Sequence, residues 1–299
     1  MSEYHEPVLL KESIDNLIGD ANGIYVDVTF GGGGHSKEIL NRLGPEAKLI
    51  VFDQDNEAKA NVIKDNRLIF VDSNFRHIYR YWKWLDVQKV DGILADLGVS
   101  SHQFDAGYRG FSYRFEADLD MRMNEDAPKT AAVVLATYNA IELQDVFSKY
   151  GEVRNAKTLA REIDTLRRSG RMLSTSNELN ALLDDMYIGD KMKYYSQVYQ
   201  ALRIEVNDEM GALADMLEGS LRIMKKDAKF VIISYHSLED RMVKKFLKSG
   251  NAEGKLEKDE YGRSLSEIKM DKKMILPTAE EQDLNVRSRS AKMRVGVKL

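Results

Sequence analysis

The sequence predicts an α/β protein: a mostly parallel sheet with helices on both faces, interrupted by an inserted all-helical domain. Three observations lead there. An apolar, β-branched run, Ile24–Phe30, breaks into four consecutive glycines, Gly31–Gly34, and then into a helical pattern at Lys37-Glu38-Ile39-Leu40. Strand-like and helix-like runs then alternate as far as Leu97, as βαβ units do. The next strand-like run, at Lys229, comes 137 residues after Gly92, whereas a simple βαβ unit needs only about 30.

The first strand, Ile24–Phe30, delivers the chain into the glycine loop, where the backbone approaches a ligand that any Cβ would obstruct. The second, Leu49–Asp53, ends in a carboxylate 22 residues after Gly31, the place of a ribose-binding acid. Asn56–Ile63 reads as a helix, and Arg67–Val71 as the third strand. Phe75, just beyond it, either stacks on an adenine or fills the core. Arg76–Leu85 interleaves aromatic and basic residues and reads as an amphipathic helix lying on the sheet. The fourth strand, Gly92–Leu97, carries Asp96 at its end. Ligands of open parallel sheets sit beyond the carboxyl ends of the strands, and Asp27, Asp53, Asp72 and Asp96 all lie at or near such ends. Any one of them serves equally well as a turn or helix cap; four together point to a polar ligand. Asp27, so close to the loop, either orders it or meets a cationic group. That suits S-adenosylmethionine, with its ammonium and sulfonium, better than a pyrophosphate.

Between the fourth and fifth strands the pattern is helical: Ala131–Ala136, Ile141–Tyr150, Asn155–Arg168, Ser176–Met186 and a long stretch, Ser196–Met224, that returns the chain to the sheet. The expected division is 1–104 with 199–299 for the sheet domain and 105–198 for the insertion. At about 100° per residue, Arg154, Lys157, Arg161 and Arg168 share one helical stripe opposite Leu159, Ile163 and Leu166. The stripe is either a solvated face or one that contacts phosphates. Arg287, Arg289, Lys292 and Arg294 form a second basic cluster.

The fifth strand, Lys229–Tyr235, leads through His236 into a helix for which Ser237 reads as N-cap and Asp240 as its capping-box partner. His236 then stands at the carboxyl edge of the sheet. Asn251–Asp283 is polar and charged and reads as a long flexible loop. Ala291–Leu299 alternates as a final strand.

Composition narrows the classes. With no cysteine there is no disulfide, thiolate metal site or cysteine nucleophile. The five histidines lack metal-ligand spacing, so no metal is expected. The N-terminus lacks signal-peptide character, and no apolar run approaches the roughly 20 residues of a membrane span. A soluble, cytoplasmic protein without membrane contact is expected, as a monomer or homodimer. A net charge of −4 argues against a wholesale polyanion binder but leaves room for a local basic face.

Ordered motifs along nearly the whole chain resemble the bacterial 16S ribosomal RNA cytosine-N4 methyltransferases, the RsmH/MraW family. They are His5–Leu10, Thr29–Ser36, Asp91–Gln103, Arg109–Tyr113, Leu119–Met123, Tyr150–Glu152, Gln200–Asn207, Ile233–Arg241 and Arg287–Arg294. The chain departs from the family's usual prolines at His102, Asp118 and Val286. The resemblance implies a class I, Rossmann-like S-adenosylmethionine-dependent methyltransferase fold and a decoding-centre cytosine of small-subunit 16S rRNA as target. Carried across residue by residue, it implies cofactor contacts at Gly33, Gly34, His35, Asp53, Phe75, Asp96 and Gln103, with Gly31 and Gly32 shaping the turn. Asp96 and the Leu97–Ser101 loop are expected beside the transferred methyl. His236 is expected to assist in proton removal or in holding the base. Two other functions are compatible with the residues. An NAD(P)-dependent oxidoreductase is disfavoured by the imperfect glycine pattern and by Asp27. A non-catalytic ribosome assembly factor is disfavoured by the intact loop, Asp53 and Asp96.

Overall fold

The computed structural model describes residues 7–99, 107–271 and 273–299. Its contacts divide the chain into two compact units, residues 1–98 with 210–299 and residues 99–209.

The first unit is built on a seven-stranded sheet: β1 (Ile24–Asp27), β2 (Lys48–Asp53), β3 (Leu68–Asp72), β4 (Val90–Asp96), β5 (Met224–Ser234), β6 (Ile268–Met270) and β7 (Lys292–Lys298), in the order β3-β2-β1-β4-β5-β7-β6. The first five strands run parallel. β7 is antiparallel to both β5 and β6. Period-2 alternation explains the burial on both faces. Ile50 and Phe52 pack with Val26, Ile93 and Phe230 on one side. Leu49 and Val51 pack with Tyr25, Leu94 and Val231 on the other. β1 lies between β2 and β4, so the connections diverge from it. In open parallel sheets, the place for a ligand crevice is beyond the strand ends at such a switch point, here those of β1, β2 and β4.

Several elements differ from the sequence reading. β1 ends at Asp27, three residues before Phe30, because Asp27 Oδ1 accepts the Thr29 amide at 3.1 Å and turns the chain. The Val28 and Phe30 amides still reach Leu94 and Phe52 carbonyls. Asn56–Asn61 is a 3-10 turn capped by Asp55. A second such turn, Phe75–His77, precedes the helix Ile78–Leu85. The stretch read as one helix from Ser196 is two, Lys191–Asn207 and Glu209–Ile223, separated at Asp208, whose φ of 48° ends the first helix. Residues 251–283 are not one long loop. They contain β6, which completes the sheet edge with Ile268 buried, and the helix Ala279–Leu284, capped by Thr278.

The second unit is helical. Ala131–Thr137, Ala140–Gly151, Ala156–Arg168, Ser176–Met186 and Lys191–Asn207 surround a core that includes Phe147, Leu159, Leu179 and Leu202. Asn139 and Thr175 each begin a helix with a reciprocal capping box, closed by Glu142 and Glu178. The Leu119–Met123 segment is held from both sides. Asn207 bonds the backbone of Met121 and Met123 at 2.7 Å each, and Arg122 grips Asp120 in a two-pronged pair at 2.8 and 2.6 Å. Among the described residues, no helix is long and apolar enough to cross a membrane.

Candidate functional site

The glycine loop joins β1 to the helix Gly34–Arg42. Gly33, at φ +76°, caps that helix in a left-handed conformation, and a Cβ there would lie 3.0 Å from the Phe30 ring. A Cβ on Gly34 would fall 2.3 Å from Pro7 Cγ. These two glycines are required by their own surroundings. Gly31, also left-handed at φ +50°, has nothing within 4 Å of the Cβ position and forms the open part of the turn.

Of the four strand-end aspartates, two are committed to the protein. Asp27 is buried and accepts the Ser36 hydroxyl at 2.6 Å as well as Thr29, so it fastens the loop to the next helix. Asp72 is exposed and paired with Lys59 at 2.6 Å. Asp53 and Asp96 are different. Asp53 accepts the Gly31 amide at 2.7 Å and the Asp55 amide at 2.9 Å, with no Lys or Arg against it among the described residues. Burial pushes its pKa up to about 6, against the pull of those two amides. Asp96 is anchored by its own amide, which donates to Thr29 Oγ1 at 2.7 Å. Its Oδ1 accepts the Tyr235 hydroxyl at 2.7 Å, and Oδ2 lies 3.7 Å from His35 Nδ1. Burial pushes this carboxyl also to about 6, opposed by His35 and by Tyr235. A fifth of its side chain, 23%, remains accessible.

The other expected residues divide similarly. His35 is buried, with Nε2 3.1 Å from the Val8 carbonyl, and faces Asp96. Phe75 sits half-buried in the turn after β3, against the sheet core. Gln103, with Ser100 and Ser101, lies outside the described residues. His236, not Ser237, is the N-cap of the helix Ser237–Ser249, and Glu239, not Asp240, closes the box. Glu239 accepts the Tyr235 and His236 amides, at 2.9 and 3.3 Å, and stands 3.1 Å from His236 Nε2. Asp240 is drawn away by Arg294 at 2.6 Å, which also neutralises part of the C-terminal basic cluster. In the helical unit, Lys157 and Arg161 are exposed on one helix. Arg154 precedes that helix, and Arg168 is paired with Asp164 at 2.7 Å. The sequence reading missed Thr29, Ser36 and the Tyr235 hydroxyl, the groups that fix Asp27 and Asp96. Their signal was their place: each lies within two residues of a strand or helix end at the crevice.

The profile of the MraW methylase family matches residues 2–299. The chain belongs to the MraW methylase family. It is similar to the ribosomal RNA small subunit methyltransferase H of Flavobacterium johnsoniae, with 50% identity over 299 residues covering 99% of this chain and 98% of that one. The protein of the same name from Parabacteroides distasonis is 49% identical over 298 residues, again covering 99% and 98%. Among solved structures, a putative rRNA-methylase from Clostridium thermocellum aligns over 98% of each chain with 10% identity and a TM-score of 0.45. The sheet of this methylase, parallel from β1 to β5 and with the helical unit inserted in the sequence between β4 and β5, is the architecture the sequence predicts.

The crevice suits a methylase cofactor with a cationic head. Its acceptors are carboxylates and its loop is open at Gly31. A pyrophosphate would instead meet the Asp96 carboxylate at the end of β4, where a dinucleotide site offers amides and a helix N-terminus.

Proposed function

We propose that this methylase transfers the methyl group of S-adenosylmethionine to the exocyclic N4 of a decoding-centre cytosine in the 16S rRNA of the small ribosomal subunit, in the cytoplasm. The observation that carries the proposal is the pair Asp53 and Asp96: two carboxylates at the ends of β2 and β4, neither held by a Lys or Arg among the described residues. The names of the relatives support the RNA substrate.

When bound, S-adenosylmethionine supplies an electrophilic methyl on a sulfonium centre. Asp53 spends one lone pair of each oxygen on a backbone amide and keeps the others for ribose hydroxyls. Gly33, Gly34 and His35 line the loop side, Phe75 offers a ring face to the adenine, and Gln103 completes the set. Asp96 works on the substrate. The cytosine amine is a weak nucleophile because its lone pair is delocalised into the ring. A carboxylate that accepts its N–H orients the nitrogen and stabilises the positive charge that develops as it attacks. The base leaves its stack to reach the crevice. His236 is the candidate for taking the proton or holding the base; its Nδ1 accepts the Glu239 amide and its Nε2 faces Glu239 Oε1, so either role requires the cap to open. Because it also caps a helix, its test is His236→Asn, which preserves a cap. A rate loss of roughly tenfold or more without loss of stability is expected, and an unchanged rate leaves only the capping role. Lys157 and Arg161, with Arg154 and Arg168, supply phosphate contacts.

Incubation of small subunits with this protein and methyl-labelled S-adenosylmethionine, followed by mass spectrometry of the RNA, tests the reading. Label on the N4 of one 16S cytosine is expected. Label on another base or atom, or none, defeats it.

A further inference from the structure

We propose that Tyr235 is a positioning residue for methyl transfer, its hydroxyl holding Asp96 Oδ1 so that Oδ2 is the oxygen left to accept from the substrate amine. The proposal rests on the role given to Asp96 above and goes beyond it.

Tyr235 is the first residue after β5, and β5 pairs with β4 so that Ile233 stands opposite Asp96. This register brings the tyrosine ring over the exit of β4. Gly98, at φ +103°, makes room for it: a Cβ there would touch the ring at 3.3 Å. The residue is held at both ends. Its amide donates to Glu239 Oε2 at 2.9 Å and its hydroxyl to Asp96 Oδ1 at 2.7 Å. The Asp96 backbone is fixed in turn by Thr29. Oδ1 is therefore occupied. Oδ2, 3.7 Å from His35 Nδ1, has no donor within hydrogen-bonding distance among the described residues. Rotation of the carboxylate would break the Tyr235 bond, so the hydroxyl fixes the plane of the carboxylate and leaves one oxygen for a further donor.

The groups that face Asp96 are Asp27 from β1, His35 from the helix after the glycine loop, Tyr235 from the end of β5, and Glu239 from the following helix. His35 and the Tyr235 hydroxyl favour the ionised carboxylate; burial, Asp27 and Glu239 oppose it. Burial, reinforced by Asp96 and Glu239, holds the tyrosine itself well above its ordinary value, so it stays a donor wherever Asp96 ionises. Without the hydroxyl, Asp96 gains freedom to rotate and binds its proton more tightly.

The test is Tyr235→Phe in the full-length protein, read by single-turnover methyl transfer to small subunits from about pH 5 to pH 9, with S-adenosylmethionine affinity and thermal unfolding alongside. The expected result is a rate at neutral pH lower by roughly tenfold, an acid limb moved to higher pH, and cofactor affinity changed less than about threefold. A packing defect alone would not move the acid limb. Wild-type rate and an unmoved limb overturn the proposal. As a second variant that preserves ring and hydroxyl, 3-fluorotyrosine at position 235 makes a stronger donor and should move the limb to lower pH; no movement counts against the proposal. Asp96→Asn, measured in parallel, separates the two readings. If it retains rate and limb, the role of Asp96 itself is wrong. If it loses them while Tyr235→Phe does not, the error lies in Tyr235 alone.

Discussion

Asp53 and Asp96 in the sheet unit and Asp120 and Asp164 in the helical unit are similarly sheltered yet used in opposite ways. In the helical unit Asp120 is gripped by Arg122, and Asp164 by Arg167 and Arg168. Burial pushes Asp120 up, but the hydrogen bonds from Arg122 outweigh it and hold the carboxyl below its usual range. In the sheet unit Asp53 and Asp96 meet amides and a phenol instead of guanidinium groups, and burial dominates. A paired carboxylate has its partner built in and serves the fold. One left at a strand end without a strong cation is costly to keep ionised, and the ligand is what makes use of it.

The largest expected effect is on Asp53. Asp53→Ala should weaken S-adenosylmethionine binding by roughly 100-fold, the loss of hydrogen bonds to a charged group, as read by calorimetry. Unchanged affinity would erase the distinction between the two kinds of carboxylate. Next comes the paired side. Arg122→Met strands Asp120 and should lower stability by about 2 kcal/mol in denaturant titration with cofactor affinity untouched. Because the Asp120 pKa is lowered by folding, its contribution is present above the unfolded value and fades as pH falls through the folded one. Asp96 has the opposite sign. Raised by folding to about 6, it contributes stability below roughly pH 4 that is lost as pH rises through 6. Asp96→Asn should therefore be more stable than wild type by about 1 kcal/mol at pH 8 and equal to it near pH 4; a destabilised variant at pH 8 would show Asp96 to be structural. The smallest effect concerns the basic face. Lys157→Ala with Arg161→Ala should reduce the slope of log affinity against log salt for ribosomal RNA by about 2, and an unchanged slope leaves a merely solvated surface.

Much of the fold was legible because period-2 burial on a parallel sheet leaves β-branched runs that stand out, and β2 and β4 end at the aspartates that close those runs. What stayed hidden depends on contacts distant in sequence. His236 and Ser237 each begin an x-x-acid pattern. The choice between them is made by Arg294, 54 residues from Asp240, which takes Asp240 and leaves Glu239 to cap. Asp72 resembles Asp53 in the sequence, but it lies exposed at the end of the edge strand β3, paired with Lys59 from a neighbouring turn. The Tyr235 hydroxyl was read as part of an apolar strand because its partner lies across the sheet. The break at Asp208 is a left-handed residue inside a continuous helical pattern. β6 is too short to announce itself among polar residues.

The most direct test of this account is the pH dependence of single-turnover methyl transfer by the wild-type protein and Asp96→Asn, at saturating S-adenosylmethionine. A carboxylate acting as acceptor predicts a wild-type rate that rises with pH as Asp96 ionises, with its midpoint below the value of about 6 in the free protein because the bound sulfonium favours the carboxylate. It also predicts a variant slower by roughly 100-fold with that limb gone. A variant that keeps the wild-type rate and limb would contradict it.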